Sequence, residues 1–272
     1  PEEASHLLSS ARDAGILVLD TAQAYGESEI VIGAWMKAER SKLACPSLPR
    51  IVTKVPPLES GLTIQSAVEK SLERLQASSI DVLLLHRESD LDGPNGDENW
   101  KILTRLKSEG RVQKIGVSSY SPETLLHHLE RYPIEAVQVP YNLLDRRFFS
   151  EELCAAYARG KVEVHVRSVF LQGLFFLTLQ SCPPSMHFAA DTLQDIHDLA
   201  EQAGASASAL SLSSAIQNPS IQKVVVGMTS AKELAEILAW PLATLEPEIE
   251  RRFAKLGESH DGRLIDPRRW NT

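Results

Sequence analysis

The sequence predicts an α/β protein of the (β/α)8 TIM barrel class, and three observations carry that expectation. Short apolar runs alternate with amphipathic stretches almost from end to end. The runs are apolar throughout instead of at every second position, as strands of a parallel sheet covered by helices require. Polar residues close many of the runs, and no Gly-x-Gly-x-x-Gly follows the first, which favours a closed barrel over an open doubly wound sheet.

Strands are expected over residues 16–20, 51–55, 82–86, 114–118, 136–140, 162–166 and 224–227. Helices are expected between them, over 3–14, 29–40, 63–75, 99–110, 122–131, 150–159, 192–203 and 231–238. In the third of these, Ile64, Ala67, Val68, Leu72 and Leu75 recur at helical spacing and mark one buried face. Seven strands are counted where a complete barrel has eight, and the chain opens in what reads as the first helix. The first barrel strand is therefore expected to be missing from this chain, by truncation more than by an open barrel, since a gap between parallel strands leaves two bare edges. The chain also starts Pro-Glu-Glu-Ala without methionine, so a targeting signal upstream would not be visible. No linker or break in composition divides the 272 residues, which read as one domain. The least regular stretch, 175–190 with Pro183 and Pro184, reads as a loop over the barrel mouth.

Composition narrows the function classes. A net charge of −8 argues against general binding to nucleic acid or an anionic membrane, and no apolar run is long enough to cross a bilayer. Three widely spaced cysteines (Cys45, Cys154 and Cys182) lack paired zinc spacing and read as reduced thiols of a cytoplasmic protein. His127 and His128 are adjacent on a helix and face different directions, so no metal site is expected from them.

The chemistry sits at strand ends. The first expected strand delivers Asp20, and the loop after it carries Tyr25, within Leu-Asp-Thr-Ala-Gln-Ala-Tyr-Gly-Glu-Ser-Glu. Lys54 closes the second strand and His86 the third. Asp, Tyr, Lys and His in one repeated position form a set able to handle a proton. A buried ammonium beside a tyrosine lowers the phenol's pKa, and a carboxylate holds the ammonium charged and in place.

These residues resemble the aldo-keto reductase superfamily over nearly the whole chain. The most specific segment runs from Asp20 through Tyr25, Gly26, Ser28 and Glu29 to Gly33. Thr53-Lys54, Ser71-Leu-Glu-Arg-Leu75, Ile80-Asp81 before His86, Gly116-Val-Ser118-Ser119, Gln138-Val-Pro-Tyr-Asn142 and 227–234 continue it. The resemblance implies a barrel that reduces carbonyls with a nicotinamide cofactor held without a Rossmann fold. Tyr25 would be the general acid, Lys54 its neighbour, Asp20 the partner of Lys54, and His86 a second donor that orients the substrate.

For the cofactor, NADP(H) or NAD(H), the resemblance implies Ser118, Ser119 and Gln138 at the carboxamide, with Ser119 where asparagine is common. It implies a loop from Ser168 through Leu171 to Gly173 that wraps the pyrophosphate, and Arg167 beside the nicotinamide, where a tyrosine often stacks. Gly227, Thr229, Ser230, Lys232 and Glu236 would form the last contact segment. Only Lys232 is basic there, and Glu233 stands where an arginine would suit a 2′-phosphate, so the choice between the two cofactors stays open. The partner expected is a small-molecule carbonyl. Two other readings compete. One is a cofactor-binding regulatory protein of the same fold with little turnover, the other a barrel enzyme using Lys54 as a Schiff base. The tail from Leu264 to Trp270 reads as packing against the barrel.

Overall fold

The computed structural model describes residues 2–42, 48–58, 61–178, 181–258 and 264–270; Cys45 lies outside them. The chain divides into two compact units. The first holds residues 1–138, 158–163 and 227–238; the second holds 139–157, 164–226 and 239–272.

The first unit opens with α1 (Glu2–Asp13), β1 (Val18–Asp20) and α2 (Ser28–Lys42). It continues through β2 (Arg50–Val55), α3 (Ile64–Leu75), β3 (Ile80–Leu85), α4 (Gly96–Ser108), β4 (Val112–Ser118) and α5 (Pro122–Arg131) to β5 (Ala136–Pro140), which leads into the second unit. All neighbouring strands pair in parallel in chain order: Asp20 lies beside Val52, Lys54 beside Leu84, Leu85 beside Val117, and Ser118 beside Gln138. This register places the polar strand ends at a common level. Val52, Val82, Leu84 and Ala136 pack together as an apolar cluster, as strands covered by helices require.

The helices show why each begins where it does. Thr63 caps α3 through its side chain, which accepts from Ser66 N, while Ser66 Oγ accepts from Thr63 N. Ser121 caps α5 at Thr124 N, and Pro122 fits the first turn because its missing N–H would be unsatisfied there anyway. Gly33 of α2 is needed for contact with α3: a Cβ there would lie 2.2 Å from the Arg74 carbonyl oxygen. The chain returns to this unit at α9 (Ala231–Leu238).

The second unit is built from α6 (Glu151–Gly160), β6 (Glu163–Arg167), α7 (Ala190–Gln202), α8 (Ala207–Gln217), β7 (Lys223–Val224) and α10 (Pro247–Glu258), with the ends of α6 and β6 lying in the first unit. β6 and β7 are parallel, with His165 beside Lys223. Its apolar core includes Leu143, Leu171, Phe175, Met186, Leu193, Leu210 and Phe253.

Seven strands occur among the described residues, all in the expected places, with ends shifted by at most three residues. Three features differ from expectation. α8 was not foreseen: it is made largely of Ala and Ser and buried nearly all round, so no polar face marks its period. α10 carries Pro247 at its start and Ile249, Phe253 and Leu256 along one side, a signal that was present and overlooked. The 175–190 stretch is not a bare loop. It begins at the end of the turn segment Leu171–Phe176 and contains a short 3₁₀ turn over Pro184–Ala189, and Phe175, Cys182, Met186 and Ala189 enter the core. The tail packs as expected, with Leu264 buried and Trp270 Nε1 donating to Leu264 O at 3.2 Å.

Candidate active site

Asp20, Tyr25, Lys54 and His86 all belong to the first unit, and three of them stand at or just beyond the ends of β1, β2 and β3. Lys54 is 1% exposed, so its ammonium must find a counter-charge inside the protein. It donates to Asp20 Oδ1 at 2.6 Å and to Thr21 O at 3.0 Å. Asp20 is bound on its other oxygen as well, where Gln138 Nε2 donates to Oδ2 at 2.7 Å. A carboxylate accepts only, so this bond fixes the amide of Gln138, its NH2 toward Asp20 and its oxygen turned away.

Tyr25 sits on the loop that follows β1. Its N–H donates to Ala22 O at 2.9 Å and its carbonyl accepts from Ser28 N at 3.1 Å, so the loop folds back on itself. The ring is 47% exposed and therefore open to an incoming molecule. Lys54 Nζ lies 5.1 Å from the Tyr25 ring centroid, and the His86 ring meets the Tyr25 ring at 5.7 Å and 82°, edge to face. A buried cation, a partly exposed phenol and an imidazole are thus gathered around one exposed face. The arrangement can stabilise negative charge on the phenol oxygen as a proton leaves.

The residues expected at the carboxamide are also in this unit. Ser118 and Ser119 are buried at the end of β4, and Ser119 N donates to Gln138 O at 3.0 Å. The Ser119 hydroxyl donates to Glu88 and lies 3.1 Å from Ser121 O. Glu88 also accepts from Tyr120 N and Ser121 N, each at 3.1 Å. Sequence reasoning missed Glu88, which follows His86 by two residues and ties the loop after β4 to the loop after β3.

In the last contact segment, Thr229 and Ser230 precede α9, and Glu233 lies in its first turn. The Glu233 carboxylate accepts from Thr229 N at 2.6 Å and Thr229 Oγ1 at 2.9 Å. These bonds hold its pKa below the ordinary carboxylate value, the Thr229 N–H contributing most. Glu233 is exposed, and its carboxylate closes its own helix start. Lys232 pairs with Glu236 at 3.8 Å, and both are exposed.

In the second unit, Arg167 ends β6, and its Nη1 donates to Ser168 Oγ at 3.4 Å. The segment after it is conformationally unusual. Ser168, Leu171 and Gln172 have φ of 61°, 46° and 54°, and Gly173 has 87°. Three non-glycine residues in the left-handed region within five positions mark a backbone held in place by its surroundings, here by Asn142 Nδ2 on Ser168 O at 3.2 Å and by buried Leu171. Among the described residues, no group of three or more His, Cys, Asp or Glu could hold a metal ion, and no helix is long and apolar enough to cross a membrane.

Parallel strands in chain order with helices between them are the architecture of the (β/α)8 class. The aldo-keto reductase family pattern matches residues 1–256, and the chain belongs to that family. It is similar to an aldo-keto reductase of Bacillus halodurans in its apo form, with 26% identity and a TM-score of 0.75, covering 96% of this chain and 89% of that one. An aldo-keto reductase of Klebsiella pneumoniae in complex with NADPH shares the fold at 23% identity and a TM-score of 0.71, over 94% of this chain and 84% of that one. Aldo-keto reductase YhdN of Bacillus subtilis is 31% identical over 159 residues, 56% of this chain and 47% of that protein. The chain thus spans about half the length of the curated relative it matches.

Proposed function

We propose that the protein is an NAD(P)H-dependent oxidoreductase that reduces a small aldehyde or ketone to an alcohol. The reading takes residues 1–272 as one domain. The observation that carries it is the chain Gln138–Asp20–Lys54 under the exposed ring of Tyr25. A reduced nicotinamide would supply the hydride. Tyr25 is then the general acid, giving its proton to the carbonyl oxygen as negative charge builds there. Lys54 stabilises the phenolate left behind, and Asp20 keeps the buried ammonium charged. His86, edge-on to Tyr25, donates to the same oxygen and sets the angle of approach.

The residues present suit such a cofactor. Gln138 offers its amide oxygen to a carboxamide N–H, because Asp20 occupies its NH2, and Ser118 and Ser119 stand beside it on β4. The segment from Ser168 through Leu171 to Gly173, with four residues in the left-handed region, would present successive backbone groups to a pyrophosphate, and Arg167 just before it would lie beside the nicotinamide. Gly227, Thr229, Ser230, Lys232 and Glu236 remain the choice for the last contact.

The test is reduction of a panel of small aldehydes and ketones, followed by loss of reduced-nicotinamide absorbance, with wild type and Tyr25→Phe side by side. Tyr25→Phe should lose about 10² to 10⁴ in kcat, the usual worth of a positioned proton donor. Its dissociation constant for the cofactor, from fluorescence quenching, should stay within about twofold, since the ring is kept. Wild-type protein that binds the cofactor and turns over none of the panel would point to the regulatory alternative. Equal rates for both proteins would remove Tyr25 from the mechanism.

A further inference from the structure

Glu29 is 1% exposed, a carboxylate as deeply buried as Lys54, and the reaction proposed above makes no use of it. It stands in the first turn of α2, directly after the loop that carries Tyr25. One oxygen, Oε1, accepts from Thr53 Oγ1 at 2.8 Å, so Glu29 touches the residue next to Lys54 on β2. The other, Oε2, has no hydrogen bond among the described residues and faces Arg74 Nη1 at 3.6 Å. The same Arg74 nitrogen donates to Gln23 O at 3.4 Å, in the middle of the stretch between Asp20 and Tyr25. Gln23 is held a second time, its Nε2 reaching Ala67 O at 3.2 Å and Ser71 Oγ at 3.5 Å on α3. The ends of the loop are joined by Thr21 Oγ1 donating to Ser28 Oγ at 2.8 Å.

We propose that Glu29 and Arg74 are a positioning pair that sets Tyr25 against Lys54. Glu29 registers the start of α2 to β2 through Thr53, and Arg74 registers the loop to α3 through Gln23. The two anchors meet in one ion pair. A buried carboxylate cannot exchange its partner for water, so the pair has one geometry, and that geometry is passed to the loop that carries Tyr25, residues 21–28. Gly33 fits the same design, because without a Cβ it lets the Arg74 backbone come against α2. The inference rests on Tyr25 being the proton donor, but the ordering of the loop is measurable without any reaction.

The experiment compares wild type with Arg74→Met, Arg74→Lys and Glu29→Gln in two assays. In amide hydrogen exchange of the cofactor-free protein, Arg74→Met should speed exchange in peptides covering 21–28 by about tenfold or more while α5 keeps its protection, as expected of a local opening. In kinetics with a reducible carbonyl, kcat should fall on the order of 10- to 100-fold with KM within about twofold, the pattern of a misplaced catalytic group. Arg74→Lys, which keeps a charge near Glu29 but lacks the second nitrogen fork, should recover part of both losses. Glu29→Gln, close in shape, should move both readouts in the direction of Arg74→Met, and it carries the test if that variant does not fold. Exchange in 21–28 within twofold of wild type in folded variants overturns the proposal, as does faster exchange spread evenly over the chain. If wild type reduces no carbonyl, the functional reading fails and the exchange result alone decides the clamp.

Discussion

The carboxylate of Glu233 receives the Thr229 N–H and hydroxyl, so its charge is already engaged at the start of α9. Its pKa is held below the unfolded value. The stability this adds is therefore present above the unfolded carboxyl range and lost as pH falls through the lower, folded value. Protection factors over 229–236, with the intrinsic pH dependence of amide exchange divided out, should fall on acidification in wild type and be low and nearly constant with pH in Glu233→Gln; identical profiles would rule out the cap. The same residue bears on cofactor choice. If Glu233 stands where the family resemblance puts a basic clamp, discrimination of NADPH over NADH should be weak, within about tenfold. Glu233→Arg should shift the ratio of dissociation constants toward NADPH by replacing a repulsive charge with an attractive one, at some loss of order in α9. A wild-type preference of a hundredfold or more would place the phosphate contact on other residues.

Glu88 acts between elements. It collects Tyr120 N, Ser121 N and the Ser119 hydroxyl from the loop after β4 while sitting on the 3₁₀ turn Glu88–Leu91 that follows β3. Glu88→Ala would remove the acceptor that these three donors share, and a hydrogen bond to a charged group is worth about 1.5–3 kcal/mol. A lower unfolding midpoint and several-fold weaker nicotinamide binding are expected, with Glu88→Gln closer to wild type. Unchanged cofactor affinity in a folded Glu88→Ala protein would mean that Ser118 and Ser119 do not hold the carboxamide. The role of Glu88 could not be read from the chain, because it depends on two loops meeting that are some thirty residues apart. The same holds for Glu29 and Arg74, joined over a gap of forty-five positions. Asp20, Lys54 and His86 could be singled out because each stands at or beside the end of an apolar run, a position the pattern marks directly. The bond from Gln138 to Asp20 was not, although both residues were singled out, since it requires knowing how β1 and β5 are brought to one level.

At the scale of the whole chain, strands were easier to find than helices with no polar face. Continuous apolar runs bounded by polar residues identify a covered parallel strand from local sequence alone. α8 carries no such contrast, and its Ser208 and Ser211 turn out to be buried donors to Phe175 O at 3.2 Å and Val169 O at 2.7 Å. α10 is the sharper test of the second unit's core, because its helical pattern is written in few residues and hangs on one side chain. Phe253 is 0% exposed and belongs to the same cluster as Leu144, Leu199 and Leu264, whereas Arg251, two residues earlier, is exposed and pairs with Glu248 at 2.7 Å. Removing a fully buried phenyl ring costs the transfer energy of its atoms plus that of the cavity, about 3–5 kcal/mol. Phe253→Ala should therefore lower the thermal midpoint by roughly 10 °C, while Arg251→Ala should move it little, since exposed ion pairs contribute about 0–1 kcal/mol. Calorimetry or far-ultraviolet circular dichroism of the two variants decides it. Comparable small shifts in both would mean that α10 lies outside the core and that the second unit is held by α7 and α8 without it.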